Sequence, residues 1–189
     1  MLLAIDPGVN SPGIALFSGA KLSLAVRIIA TANSRCQEDG MRWHLVAKQI
    51  VSWVGDNEIV SVVFERPQWY ARAKSKGDPN ELAGIAGVAA NVCGMLSPAS
   101  ILSPTPAEWI GQLPKVCPVC KGKAKKKCTE CHGSAWETPR GRRIRSRLSA
   151  EELTLVPDQN DAIDSVGIGL WALGRLAPNR IFSNGIDTV

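Results

Sequence analysis

Four acidic side chains and four cysteines are the residues of this 189-residue chain whose types and spacing could do chemistry. Asp6 ends the apolar run Leu2-Leu3-Ala4-Ile5 and is followed at once by Pro7-Gly8. Glu65 ends the run Ile59-Val60-Ser61-Val62-Val63-Phe64 and is followed by Arg66-Pro67. Taken singly, each acid has a plain explanation. Asp-Pro-Gly is a favourable turn, an acid after a strand commonly meets solvent, and Asp161 and Asp164 suit the dipole at the start of a helix. Taken together they suggest a site. Positions 161, 164, 168 and 171 share one helical face, so both aspartates line up with Ile168 and Trp171, which are expected to face the core. Burying carboxylates side by side costs several kcal/mol unless something positive binds them. Hard oxygen donors suit Mg²⁺ or Mn²⁺ rather than zinc. A cluster of four could hold two such ions about 4 Å apart, for in-line displacement at a phosphodiester. Asp158, directly after Pro157, reads as a helix cap and is set outside the cluster.

The cysteines ask for a different metal. Cys117-Pro-Val-Cys120-Lys-Gly122 and Cys128-Thr-Glu-Cys131-His-Gly133 are two copies of Cys-x-x-Cys-x-Gly. Each makes a tight knuckle whose glycine permits φ > 0, and two knuckles close a tetrahedral four-thiolate Zn²⁺ site of structural type. His132 is awkwardly placed as a ligand beside Cys131, and Cys36 and Cys93 stand alone as ordinary thiols. The knuckles lie in the basic part of the chain. Residues 115–147 hold eleven Lys/Arg and two acids, a charge of +9, against −4 for the remainder and +5 overall. Such a stripe attracts polyanions, nucleic acid first among them. Lys115, the finger lysines Lys121, Lys123, Lys125, Lys126 and Lys127, and the track Arg140, Arg142, Arg143, Arg145 and Arg147 read as phosphate contacts. Arg72, Lys74 and Lys76 add a basic loop after Trp69-Tyr70.

These residues need a scaffold. Runs at Leu2 to Asp6, Gly13 to Ser18 and Lys21 to Ala30, separated by Pro7-Gly8, Ser11-Pro12 and Ser18-Gly19, read as an antiparallel meander. Apolar recurrence predicts a helix over Glu38 to Val54, and His44 on it reads as structural or exposed. Ile59 to Phe64 is apolar on both parities, as in a strand covered on both faces. A helix rich in Ala and Gly follows from Glu81 to Leu96, suited to close packing on the sheet or on a second subunit. Ser100 to Ser103 is a short strand, and Thr105 caps a short helix with Pro106 at its first position. Arg140 to Leu153 reads as a basic helix or loop, and a last helix runs from about Asp158 to Leu176. The whole is one α/β domain over 1–189, a mixed five-stranded sheet flanked by helices, with a zinc-binding insertion at 115–135.

An N-terminal strand ending Ile-Asp-Pro-Gly, a central strand ending Phe-Glu and a late helix reading Asp-Ala-Ile-Asp resemble the RuvC-type Holliday-junction resolvases of the ribonuclease-H-like nucleases. The likeness implies a ribonuclease-H-like fold, with Asp6, Glu65, Asp161 and Asp164 as catalytic ligands of Mg²⁺ or Mn²⁺. It also implies a homodimer that nicks opposed strands of a four-way DNA junction. An aromatic near the strand-exchange point would be Trp69 or Tyr70, and a basic residue near the scissile phosphate would be Lys115, Arg142 or Arg143. The knuckles depart from that family's pattern. Two other classes remain open: a branched-DNA-binding finger protein without cleavage, and an actin-like-fold phosphotransferase, which would need a second phosphate-binding hairpin not visible here. With no basic leader and no membrane-length apolar run, the chain is expected in the cytoplasm, that of a host if phage-encoded, and not in a membrane.

Overall fold

The computed structural model describes residues 1–8, 11–29, 39–67, 79–113 and 139–176. Three strands open the chain: β1 (Leu2–Asp6), β2 (Gly13–Ser18) and β3 (Lys21–Arg27). They form the expected meander, each antiparallel to the next. Helix α1 (Asp39–Val54) crosses to β4 (Ser61–Phe64), which lies parallel to β1, and α2 (Pro79–Leu96) crosses to β5 (Ser100–Leu102), parallel to β4. The sheet order is therefore β3-β2-β1-β4-β5, mixed and five-stranded. Four further helices follow: α3 (Pro106–Ile110), α4 (Pro139–Arg145), α5 (Ala150–Leu153) and α6 (Asn160–Ala172).

Period-two alternation divides the strand side chains between two cores. Leu3, Ile5, Ile14, Leu16 and Val62 face α1 and α2, meeting Val46, Ile50, Val88 and Val92. Leu2, Ala4, Ala15, Phe17 and Val63 face the other way, onto Ile163, Val166, Ile168 and Leu170 of α6, with Trp109 of α3 and Ile144 of α4 beyond. Each fully buried Leu, Ile or Phe in these layers stabilises the fold by roughly 1.5–3 kcal/mol. Helix α6 is buried nearly all round because its glycines let neighbours in. A Cβ on Gly169 would stand 2.1 Å from the Phe17 ring, and one on Gly167 2.8 Å from both Trp109 and Ile144. Gly87 does the same for α2, whose close neighbour is Trp43 of α1. Among the described residues no helix is long and apolar enough to cross a membrane.

Three sequence expectations are corrected. The last helix is shorter than 158–176, and its N-cap is Gln159, not Asp158. The Asp158 carboxylate instead accepts a hydrogen bond from Arg145 at 2.9 Å. The stretch from Arg140 to Leu153 is two helices, because Ser149 starts α5 with a capping box in which Ser149 and Glu152 exchange side-chain and backbone bonds. Thr105 and Pro106 begin α3 as expected, with Glu108 completing a second capping box.

Candidate active site

The register of the sheet builds one end of the molecule. Asp6 pairs with Gly13, Gly13 pairs with Arg27, and the Glu65 N–H donates to the Ile5 carbonyl at 3.3 Å. Arg27, Gly13, Asp6 and Glu65 thus form a row across the strand ends. Asp6 has the parity of Leu2 and Ala4, Glu65 that of Val63, and Arg27 that of Ala25, so all three emerge on the face that α6 covers. Gly13 lets α6 come down onto them. A Cβ there would lie 1.9 Å from the Asp161 carbonyl oxygen and 2.9 Å from the Ala162 nitrogen, so a bare strand is what seats the first helical turn. That turn carries Asp161 and Asp164 over Asp6.

The electrostatics record the convergence. Burial pushes the Asp6 carboxyl up to about 8, with Asp164, Glu65 and Asp161 each adding repulsion and Arg140 opposing it weakly. Burial raises Asp164 to about 6 against the pull of Arg140. Glu65 is raised by burial too, opposed by a hydrogen bond from Trp109 and by Arg140. The partners are specific. The Arg27 Nε lies 2.8 Å from an Asp161 oxygen, Arg140 is paired with Asp164, and the Trp109 Nε1–H donates to Glu65 Oε2 at 2.6 Å. Arg140 also sits over the Trp109 ring, 5.8 Å from its centroid. Among the described residues no three carboxylate, imidazole or thiolate side chains are gathered to hold one ion. The arginines and the indole engage the acids separately instead.

So the four acids singled out from the sequence share one corner of the fold, and three partners there were not singled out for it. Arg140 was read only as a phosphate contact. Arg27 and Trp109 carried no functional signal, although a strand opening on glycine directly after a Ser-Pro turn could have pointed to Gly13. Arg145 of the basic track is engaged with Asp158 and with the Pro157 carbonyl at 3.2 Å. Arg142 and Arg143 lie in α4, and Arg147 follows it. His44 bonds to Asn91 at 3.2 Å, a structural role, and Cys93 is a free, half-buried thiol. Trp69, Tyr70, Arg72, Lys74, Lys76, Lys115, Lys121, Lys123, Lys125, Lys126, Lys127, His132 and the cysteines Cys36, Cys117, Cys120, Cys128 and Cys131 lie outside the described residues.

No protein-family model and no curated protein sequence matches this chain. Solved structures do. Thermus thermophilus RuvC in complex with a Holliday junction substrate superposes with a TM-score of 0.58 at 13% identity, over 91% of this chain and 92% of that one. Thermus thermophilus RuvC by itself gives 0.55 at 13% identity, over 91% and 93%. The yeast mitochondrial Holliday junction resolvase Ydc2 gives 0.54 at 13% identity, over 93% and 81%. At such identity the likeness speaks for the backbone, and the sheet order and flanking helices agree with it: the chain has the ribonuclease-H-like fold of these resolvases.

Proposed function

We propose that this protein is a divalent-cation-dependent endonuclease that cuts branched DNA, four-way junctions above all. The observation that carries the reading is that Asp6, Glu65, Asp161 and Asp164 occupy one corner under α6, near enough for the other three to add to the burial that pushes Asp6 up to about 8. A carboxyl so raised marks a place where negative charge exceeds its compensation, and the all-oxygen donor set fits Mg²⁺ or Mn²⁺. Asp6 and Glu65 from the sheet and Asp161 and Asp164 from the helix would hold the ions. Bound there, two cations would supply a nucleophile from water at neutral pH and would neutralise charge on the leaving oxygen. The chain's own residues do the rest. Arg27 holds Asp161 and Arg140 holds Asp164, and Arg140, more than a third exposed, is open to a phosphate as well. Arg140, paired with Asp164, joins Lys115, Arg142 and Arg143 as a candidate for the basic residue of the site.

The fold of junction resolvases supports the substrate class, and the basic stretch supports binding. Zn²⁺ held by Cys117, Cys120, Cys128 and Cys131 would order the finger lysines against phosphates, with Trp69 or Tyr70 stacking on an unpaired base at the exchange point. A homodimer would present two such sites to opposed strands. Elemental analysis should find about one zinc per chain, lost in Cys128→Ser. If six to ten phosphates are neutralised, affinity should fall roughly three to five decades between 50 and 200 mM salt.

The second reading is a branched-DNA-binding protein without cleavage, favoured by the two arginines already paired with Asp161 and Asp164. One assay separates them. Labelled four-way junction, linear duplex and single strands are incubated with the protein in Mg²⁺, in Mn²⁺ and in chelator. The nuclease reading expects junction nicking that needs the cation, and an Asp6→Asn chain that binds the junction without cutting it. Equal cutting by Asp6→Asn, or binding without any cutting by the wild type, would overturn it.

A further inference from the structure

Trp109 is not one of the acids, yet its indole reaches two parts of the site from one place. The side chain is 1% exposed, and its Nε1–H, which can only donate, bonds to Glu65 Oε2 at 2.6 Å. The face of the same ring lies 5.8 Å from the Arg140 guanidinium carbon, and Arg140 is the partner of Asp164. The indole itself is fixed. Its Cζ3 would meet a Cβ on Gly167 of α6 at 2.8 Å, so helix and ring are in direct contact. Its helix is anchored by the Thr105 capping box, and the strand carrying Glu65 is tied to the same turn where the Arg66 N–H donates to the Pro104 carbonyl at 2.8 Å.

We propose that Trp109 is a positioning residue for this site: its N–H sets the orientation of Glu65, while its ring face holds Arg140, and through it Asp164. One buried indole therefore fixes the relation between the acid at the end of β4 and an acid of α6. The inference rests on the carboxylate cluster being a cation site. It differs from plain core filling in a testable way, because phenylalanine keeps an aromatic ring in the pocket, though a smaller one, and has no N–H.

The test is calorimetric titration of Mn²⁺ into wild type, Trp109→Phe, Glu65→Gln and the double variant, with thermal denaturation of each. Groups that orient metal ligands are typically worth 10- to 100-fold in metal affinity. Trp109→Phe should therefore bind Mn²⁺ about 10- to 100-fold more weakly, alongside a lower melting temperature from the lost volume, and should add little to the loss of Mn²⁺ affinity once Glu65→Gln is present. Wild-type affinity in Trp109→Phe would reduce Trp109 to packing and overturn the proposal, leaving the cation reading intact. No Mn²⁺ binding by the wild type would overturn the cation reading and this role with it. If Trp109→Phe fails to fold, ¹⁵N-indole spectra of the wild type and Glu65→Gln decide the matter. An indole N–H signal moved both by Glu65→Gln and by Mg²⁺ is expected, and six indole signals indifferent to both would overturn the proposal.

Discussion

The β2–β3 hairpin and helix α6 have a buried acid at each end, and the two ends treat their acids in opposite ways. At the turn end, Glu152 is 2% exposed and accepts from the Leu22 N–H at 2.8 Å and the Ser149 N–H at 2.8 Å. It also accepts from both Arg175 Nη atoms, at 2.7 and 2.8 Å. Those donors hold its carboxyl down to about 2, the Arg175 hydrogen bonds contributing most. Arg175 also donates to the Ala20 and Arg147 carbonyls, so one ion pair joins the hairpin, α5 and the end of α6. At the strand-end corner, partly exposed Asp6 stands among three like charges and rises to about 8, and Asp164, 9% exposed, rises to about 6. Both ends hold acids away from much of the water. Donors settle the acid at one end and like charge strains those at the other, where a cation would relieve them.

The contrast breaks first at Asp6. Under the nuclease reading Asp6→Asn should lower junction cleavage by at least about three decades, roughly 4 kcal/mol of transition-state stabilisation, in a single-turnover assay. The fold itself should become more stable at pH 8, since a strained charge has been removed.

A few kcal/mol separates the two ends in their pH dependence. Asp6 and Asp164 are raised, so between about pH 4 and pH 8 the folded chain holds more protons than the unfolded one, and stability falls as pH rises through that window. Glu152 is lowered from 4.5, so its contribution is complete above about pH 4.5 and is lost as pH falls towards 2. Urea titrations across pH should show both limbs, with Asp6→Asn flattening the fall between about pH 4 and pH 8 and Glu152→Gln the loss below about pH 4.5.

Glu152→Gln should also cost about 3 kcal/mol at neutral pH by the same urea measurement, because it leaves Arg175 without its counter-charge. Gly13→Ala is the smallest change and sharpens the geometry. Its methyl must push against the Asp161 carbonyl, so stability should drop by about 1–3 kcal/mol, and Mn²⁺ affinity should drop with it as the first turn of α6 lifts.

The sheet was legible because short apolar runs bounded by turn residues are a local signal: Leu2 to Asp6 and Gly13 to Ser18 can be read without knowing their partners. Thr105 with Pro106 was legible for the same reason. Asp158 misled because a residue after Pro157 is a good cap until Arg145, thirteen positions earlier, claims its carboxylate. Ser149-x-x-Glu152 did carry its capping box in the sequence, hidden inside a basic stretch that looked continuous. Of the candidate site, Asp6 and Glu65 stood out by their place at the ends of apolar runs, and Asp161 and Asp164 by the helical face they share with Ile168 and Trp171. Arg27, Gly13 and Trp109 did not, since their roles depend on strand register and on how closely α6 approaches, which no short stretch of chain encodes.

Proton release on adding Mg²⁺ tests the central claim most directly. With its carboxyl pushed up to about 8, Asp6 is expected to hold a proton at pH 7 in the cation-free chain, and ions held jointly by the four acids would drive that proton off. In weakly buffered solution with a pH indicator, saturating Mg²⁺ should release about one proton per wild-type chain and close to none from Asp6→Asn. No release from the wild type, with Mg²⁺ binding absent or identical in the two proteins, would mean that these carboxylates do not hold a cation together.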